Sequence, residues 1–369
     1  MAIDAEKREK LIAFCHALID PQAAEVLIEP LERSPGFWFG GGNLSEAPSG
    51  TFYLTGRYRT FGDSRRGLDA GERGVELAIF ESSDRGKRFK KMLSFSKPDL
   101  SPPDSPVLSI EGSALHFTEE GVELFVSSEK GNLTYPEELT AFQKPGTGIW
   151  TIDRLAAPSV AALADAEVAP LLASDDPRFQ HVKDPVIYER PDGAMVLGFC
   201  THPFNWTSSN SGYCVRRKGN DTFDPPVNTF FRRGYTWDVA ISRITAYLRV
   251  PDLGSFRGGP PWLLAFYDGG ESMRNYEAHS QAVRRPRGYS CEELGGVAVV
   301  SKTTLATVER LSRHLPMFVS PEGTGSNRYV DVLETEEGFY ATWEQSHADG
   351  SQPLMMNFLS RGEARRLLT

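Results

Sequence analysis

Short apolar runs rich in β-branched residues recur along this chain, and they come in pairs joined by tight polar turns, with polar residues where the strands begin and end. That pattern predicts β-hairpins. The clearest pair is His181-Val182-Lys183-Asp184-Pro185-Val186-Ile187-Tyr188, a polar break holding Pro191-Asp192-Gly193, and Ala194-Met195-Val196-Leu197-Gly198-Phe199-Cys200. His181, Lys183 and Asp184 open the first strand, and Thr201, His202 and Pro203 follow the second. Two polar clusters therefore lie at one end of an otherwise buried hairpin, which packing alone does not explain.

The same layout recurs four more times. It runs through Gly42–Pro48 with Thr51–Arg59, Ser109–Phe117 with Val122–Lys130, Thr236–Val250 with Trp262–Asp268, and Asn327–Leu333 with Phe339–Gln345. Third and outer strands follow each hairpin, as in Val75–Phe80 with Phe89–Phe95 and Gly295–Ser301 with Val308–Leu311. Repeat origins at Glu46, Glu111, Asp184, Asp238 and Arg328 are unevenly spaced, so insertions belong to loops. Five meandering sheets set radially protect their edges as a propeller does. The expected fold is all-β, a five-bladed β-propeller with a short N-terminal helical extension: residues 1–35 form a helix and lead-in strand packed on a propeller of residues 36–369. Helices are expected at residues 5–18, 159–172 and 361–368. Ser82-Ser83-Asp84-Arg85-Gly86-Lys87-Arg88-Phe89 matches the Asp-box turn, in which Ser and Asp satisfy turn amides above a packed ring.

Composition narrows the function classes. The 369 residues are 40% hydrophobic and 24% charged, with a net charge of −9, which argues against a nucleic-acid or anionic-membrane partner. Cys15, Cys200, Cys214 and Cys291 have neither metal-ligand spacing nor a disulfide framework. The first twenty residues carry a helical stripe and not a signal-peptide core, and no run suits a membrane span, so the expected location is cytoplasmic. Gly40-Gly41-Gly42 precedes no helix, which excludes a phosphate loop, and no cofactor or metal is expected.

In a propeller, the starts of inner strands and the ends of second strands open on one face around the axis. Glu46, Glu111, Asp184, Asp238 and Arg328 form the first converging set. Arg57, Arg59, Glu129, His202, Asp268, Glu344 and Gln345 form the second, and Cys291, Glu292 and Glu293 enter from a third strand. Trp206, Trp237, Tyr267, Tyr329 and Trp343 accompany them. Carboxylates and guanidiniums hold hydroxyls, and ring faces cover the apolar faces of sugars, so a carbohydrate is the expected partner. Glycoside cleavage needs one protonated and one ionised carboxyl, and crowding acids on an axis separates their pKa values. Glu46, Glu111 and Asp184 are the catalytic candidates. Arg57, Arg59, His181, His202, Trp237, Asp238, Asp268, Glu292, Arg328, Tyr329 and Trp343 are the substrate-binding ones.

On these residues the chain resembles the five-bladed propeller glycosidases that cleave arabinans, xylosides and fructans. Lys183-Asp184-Pro185 is similar to their Arg-Asp-Pro or Lys-Asp-Pro strand start, and Tyr289-Ser290-Cys291-Glu292 to the Glu-Cys of the fructan-cleaving members. The resemblance implies acid/base glycoside hydrolysis by acids of the first three inner strands. It departs in placing Asp-Pro in the third repeat and Glu46 in a Leu-Ser-Glu context. A phosphorolytic relative, a sialidase-like enzyme, a metal-dependent propeller hydrolase and a non-catalytic sugar-binding propeller are the rival readings.

Overall fold

The apolar runs pair into antiparallel hairpins five times, and each hairpin extends outward into a sheet of its own. A computed structural model describes residues 3–60, 72–142, 147–174, 176–179, 181–202, 208–270 and 293–369. The chain enters through helix α1 (Ala5–Leu18) and strand β1 (Glu25–Ile28). The first blade holds β2 (Trp38–Gly40), β3 (Leu44–Glu46), β4 (Phe52–Arg59), β5 (Gly74–Ser82) and β6 (Lys90–Ser96). The second holds β7 (Val107–Phe117), β8 (Val122–Lys130), β9 (Ile149–Ala157) and β10 (Ala169–Leu172). The third holds β11 (Val182–Glu189), β12 (Met195–Thr201), β13 (Asn210–Arg216) and β14 (Val227–Phe231). The fourth holds β15 (Ile241–Arg249), β16 (Trp262–Gly270), β17 (Leu294–Ser301) and β18 (Thr307–Arg310). The fifth, β19 (Asn327–Glu334), β20 (Gly338–Gln345) and β21 (Leu354–Ser360), takes β1 as its outer strand and is followed by helix α2 (Arg361–Leu368). The fold is a five-bladed β-propeller whose ring is closed by joining the two ends of the chain in one sheet.

Helix α1 starts where Asp4 accepts a hydrogen bond from the Lys7 amide at 2.8 Å, and it buries Leu11, Phe14, Cys15 and Leu18. Phe14 meets Phe339 of the fifth blade edge to face. Ser360 and Glu363 form the reciprocal capping box of α2. The helix expected over residues 159–172 is instead a short 3-10 turn at Ala161–Asp165 followed by β10. Strand β9 needs an outer partner, and pairing Ala169 with Arg154 supplies it, which overrides the helical preference of the alanines. The Asp-box turn forms as read: Ser82 donates to Asp84 at 2.8 Å, and the Gly86 and Arg88 amides donate back to Ser82 and Asp84.

Each inner strand breaks its ladder at the same level, at Gly41–Asn43, Glu111–Gly112, Asp184–Pro185, Thr245 and Tyr329–Val330. A bulge frees backbone amides, and buried amides need acceptors. Each blade finds one on the blade before it. Ser113 N donates to Gly41 O at 2.8 Å, Asp184 N to Ser127 Oγ at 3.1 Å and Ile244 N to Ser211 Oγ at 2.8 Å. Tyr329 N donates to Asp268 at 3.0 Å, and Leu44 N closes the circle on Asp331 at 2.7 Å. This ring of five bonds fixes the blades around the axis and turns the bulged side chains toward it.

Candidate active site

The bulges gather Arg57, Glu111, Asp184, Arg243, Asp268, Glu293, Arg328, Tyr329 and Glu344 on the upper side of the ring, where the inner strands begin. All nine are buried. The first blade admits Arg57 because its inner strand turns through Gly41 at φ +68°, where a β-carbon would strike the guanidinium. Arg57 donates Nη1 to Gly40 O at 3.0 Å and to Glu344 at 3.1 Å, and its Nε lies 3.8 Å from Glu111. Arg243 reaches Asp184 at 3.1 Å, Asp268 at 2.6 Å and Glu293 at 3.4 Å. Arg328 holds Glu344 at 2.8 Å and also Glu293. Among the described residues, five carboxyl groups thus share these three guanidiniums, and Lys183 adds a further positive charge beside Asp184.

At the centre stands Tyr329. Its ring has the guanidinium carbons of Arg243, Arg57 and Arg328 at 4.1, 5.1 and 5.3 Å, and its hydroxyl donates to Asp184 at 3.3 Å. Tyr329 and Asp184 both adopt left-handed backbone, at φ +52° and +56°, a conformation that costs a non-glycine residue about 1–3 kcal/mol. The bulge ring over-determines both. Burial raises the Asp184 carboxyl, but Lys183 and Arg243 outweigh it and hold the pKa below the usual value, so this acid is ionised. Asp268 differs: burial pushes it up to about 7 despite Arg243, with Glu293 adding to the rise.

Next to this cluster, Cys200 lies 3.6 Å from Asp184 and 3.8 Å from His202, and burial lifts its thiol to about 12. His181 packs edge to face with Trp150 and with His202, and Lys183 covers the Trp150 ring at 5.6 Å. Arg59 lies over Trp38 at 4.6 Å, and Arg328 over the same indole at 4.3 Å. The structure therefore brings Glu111, Asp184, Asp268, Arg57, Arg328 and Tyr329 together, with Arg59, His181 and His202 alongside.

Five expected site residues lie elsewhere or outside. Glu46 ends β3, pairs with Phe52 on the opposite side of the propeller and holds Arg85 of the Asp-box turn. The glycine turn starts the first inner strand at Trp38, eight residues earlier than expected, so Glu46 is its exit. Asp238 accepts from Tyr267 at 3.1 Å and pairs with Arg310, while Trp237 stacks on Tyr267 and donates to Ser312 O at 2.8 Å; both belong to the packing of the fourth blade. Trp343 is fully buried among Phe14, Phe339 and Leu359 and donates to Gln345 at 2.9 Å. Glu292, with Cys291 and Trp206, lies outside the described residues. Arg243 escaped the sequence reading, although an arginine inside the apolar run Ile241-Ser242-Arg243-Ile244 is its signal. Among the described residues, no group of three His, Cys, Asp or Glu side chains has metal-holding geometry.

Comparison with known proteins supports the architecture. The chain aligns with an α-L-arabinofuranosidase from Lactobacillus brevis at a TM-score of 0.56 and 11% identity, over 91% of this chain and 93% of that one. It aligns with a β-1,2-mannobiose phosphorylase from Listeria innocua at 0.55 and 11%, over 95% and 97%. A Bacillus subtilis arabinanase gives 0.55 and 11%, over 92% and 98%. No protein-family model matches the sequence, and neither does the sequence of any curated protein. At this identity the likeness is one of fold: the chain is a five-bladed propeller built like those carbohydrate-active enzymes.

Proposed function

We propose that this protein cleaves glycosidic bonds by general acid/base catalysis on the propeller axis, with Asp184 as the ionised carboxylate and Glu111 as the proton donor. The observation that carries the reading is the convergence of Glu111 and Asp184 from adjacent inner strands. A β-carbon on Gly112 would come within 2.9 Å of Asp184, so the second and third blades meet closely here. Glycoside cleavage needs two carboxyl groups of unlike protonation flanking one bond. Lys183 and Arg243 keep Asp184 charged, while Glu111 accepts from Ser109 at 3.0 Å and lies 3.8 Å from Arg57 Nε. Arg57, Arg243 and Arg328 hold the remaining acids and orient the two that react.

One feature favours a phosphorolytic form of the reaction, namely three guanidiniums around Tyr329. Turnover that requires inorganic phosphate would establish it.

The test is a panel of aryl pentofuranosides, fructosides and sialosides, assayed with the parent, Glu111→Gln and Asp184→Asn. Each variant is expected to lose about 10²–10⁴-fold in turnover while unfolding as cooperatively as the parent. A parent inactive on every member, with variants that bind the same saccharides equally well, would sink the catalytic reading in favour of a sugar-binding propeller.

A further inference from the structure

Two loops on the upper side of the fourth blade form a surface that the axial chemistry does not use. One links β14 to β15 and carries Arg232-Arg233-Gly234-Tyr235-Thr236; the other links β18 to β19 and carries Arg313-His314-Leu315. They are tied together: Thr236 donates to Arg313 O at 2.9 Å, Trp237 to Ser312 O at 2.8 Å, and the Arg310 guanidinium to Arg232 O. Tyr235 is 99% exposed and Leu315 75% exposed. The side chains of Arg232, Arg233 and Arg313 are exposed and make no hydrogen bond or ion pair among the described residues. Residues 232–237 and 312–319 contain no acid, in a chain whose net charge is −9.

An exposed tyrosine with three unpaired guanidiniums, held on braced loops, is unusual on an acidic protein. Folding does not need it, because the apolar side chains that anchor these loops, Trp237 and Phe318, are buried beneath. We propose that this rim binds an acidic oligosaccharide, one that carries carboxylate or sulfate groups, as the extension of the chain whose terminal bond lies on the axis. The chemistry fits each part. A phenol face covers the apolar face of a sugar ring, and guanidiniums take its carboxylate or sulfate oxygens in bidentate fashion. Both loops open on the side where the inner strands begin, so a chain leaving the axis over the fourth blade crosses them. The proposal rests on the glycosidase reading only for what occupies the axis. The rim is tested by binding without turnover, so the two fail separately.

The experiment measures equilibrium binding of an oligogalacturonate, with an arabinan oligosaccharide of equal length as the neutral comparator and an oligothymidylate as a non-sugar polyanion. The oligogalacturonate is expected to bind, to weaken as salt rises, and to exceed both comparators. Combining Arg232→Ser, Arg233→Ser and Arg313→Ser removes three exposed charge contacts and is expected to weaken it about tenfold. Tyr235→Ala is expected to weaken it several-fold with the salt dependence unchanged, which separates ring stacking from charge. All four positions are exposed, so none of these changes threatens the fold. The proposal is overturned if the arabinan binds as well, if the variants bind like the parent, or if the oligothymidylate competes equally, since the last result describes a mere cation patch.

Discussion

Two ionic clusters in this propeller are built from the same residue types and behave oppositely. On the lower side, between the second and third blades, Glu123 receives Arg154 at 2.6 Å, His116 at 3.2 Å and Arg216, and His116 reaches on to Glu189 at 2.8 Å. Burial pushes the Glu123 carboxyl up, but Arg216, His116 and Arg154 outweigh it and hold it at about 2. One acid with three donors is a staple between blades. On the axis, among the described residues, five carboxyl groups meet three guanidiniums and Lys183, with one acid held low and another raised to about 7. Two residues there also sit in left-handed backbone. Cations in excess quench a carboxylate; carboxylates in excess leave some of them able to exchange protons near neutral pH. The cleft around Glu123 is roomy and lined by both charges, yet its central acid is fully paired, so we assign it to stability.

Removing each central acid breaks the comparison most directly. Glu123→Ala strands Arg154 and Arg216 and is expected to cost about 3–5 kcal/mol of unfolding free energy, with turnover per folded molecule unchanged. Glu111→Gln puts a neutral amide of the same shape in place of the proton-donating carboxyl and is expected to change stability by less than about 1 kcal/mol, measured in the same denaturant titration. Equal losses at the two sites would mean that the axis is a staple as well.

The pH dependence sharpens the contrast, because the two pKa shifts have opposite signs. Glu123 is depressed from 4.5 to about 2, so its contribution is present above its ordinary value and lost as pH falls through about 2. Asp268 is raised from 3.8 to about 7, so its contribution is present below its ordinary value and lost as pH climbs through about 7. Asp268→Asn is therefore expected to flatten the decline in stability between pH 4 and 7, and Glu123→Gln to flatten the acid limb. Unfolding midpoints across pH check both, and an unchanged neutral limb in Asp268→Asn would contradict the assignment. Asp331, also raised to about 7 by burial, adds a second contribution of the same sign.

The smallest effect concerns Glu46. Its ion pair with Arg85 is partly exposed and lies on the side away from the axis. Glu46→Gln is expected to shift stability by under about 0.5 kcal/mol and leave turnover unaltered. A loss of activity would return this residue to the site and overturn the inner-strand register described above.

The sequence by itself determined the repeat, the five hairpins, the Asp-box turn, both terminal helices, and several axial groups: Glu111, Asp184, Asp268, Arg328, Tyr329 and Glu344. These were legible because paired apolar runs bounded by turn residues mark buried strands, and polar residues opening an apolar strand mark the end that is not packed. Tertiary structure decided the rest. Where along each inner strand the ladder breaks depends on which acceptor the neighbouring blade offers, as Ser127 does for Asp184 and Asp268 for Tyr329. That phase moved the first inner strand to Trp38, put Gly41 where Glu46 was expected, and brought Arg243 to the axis in place of Asp238. Trp237 and Trp343 went into the core for a related reason: in sequence an aromatic beside a strand end looks the same whether it faces a ligand or another sheet. Only the packing of adjacent blades tells the two apart, because only there does water either remain or leave.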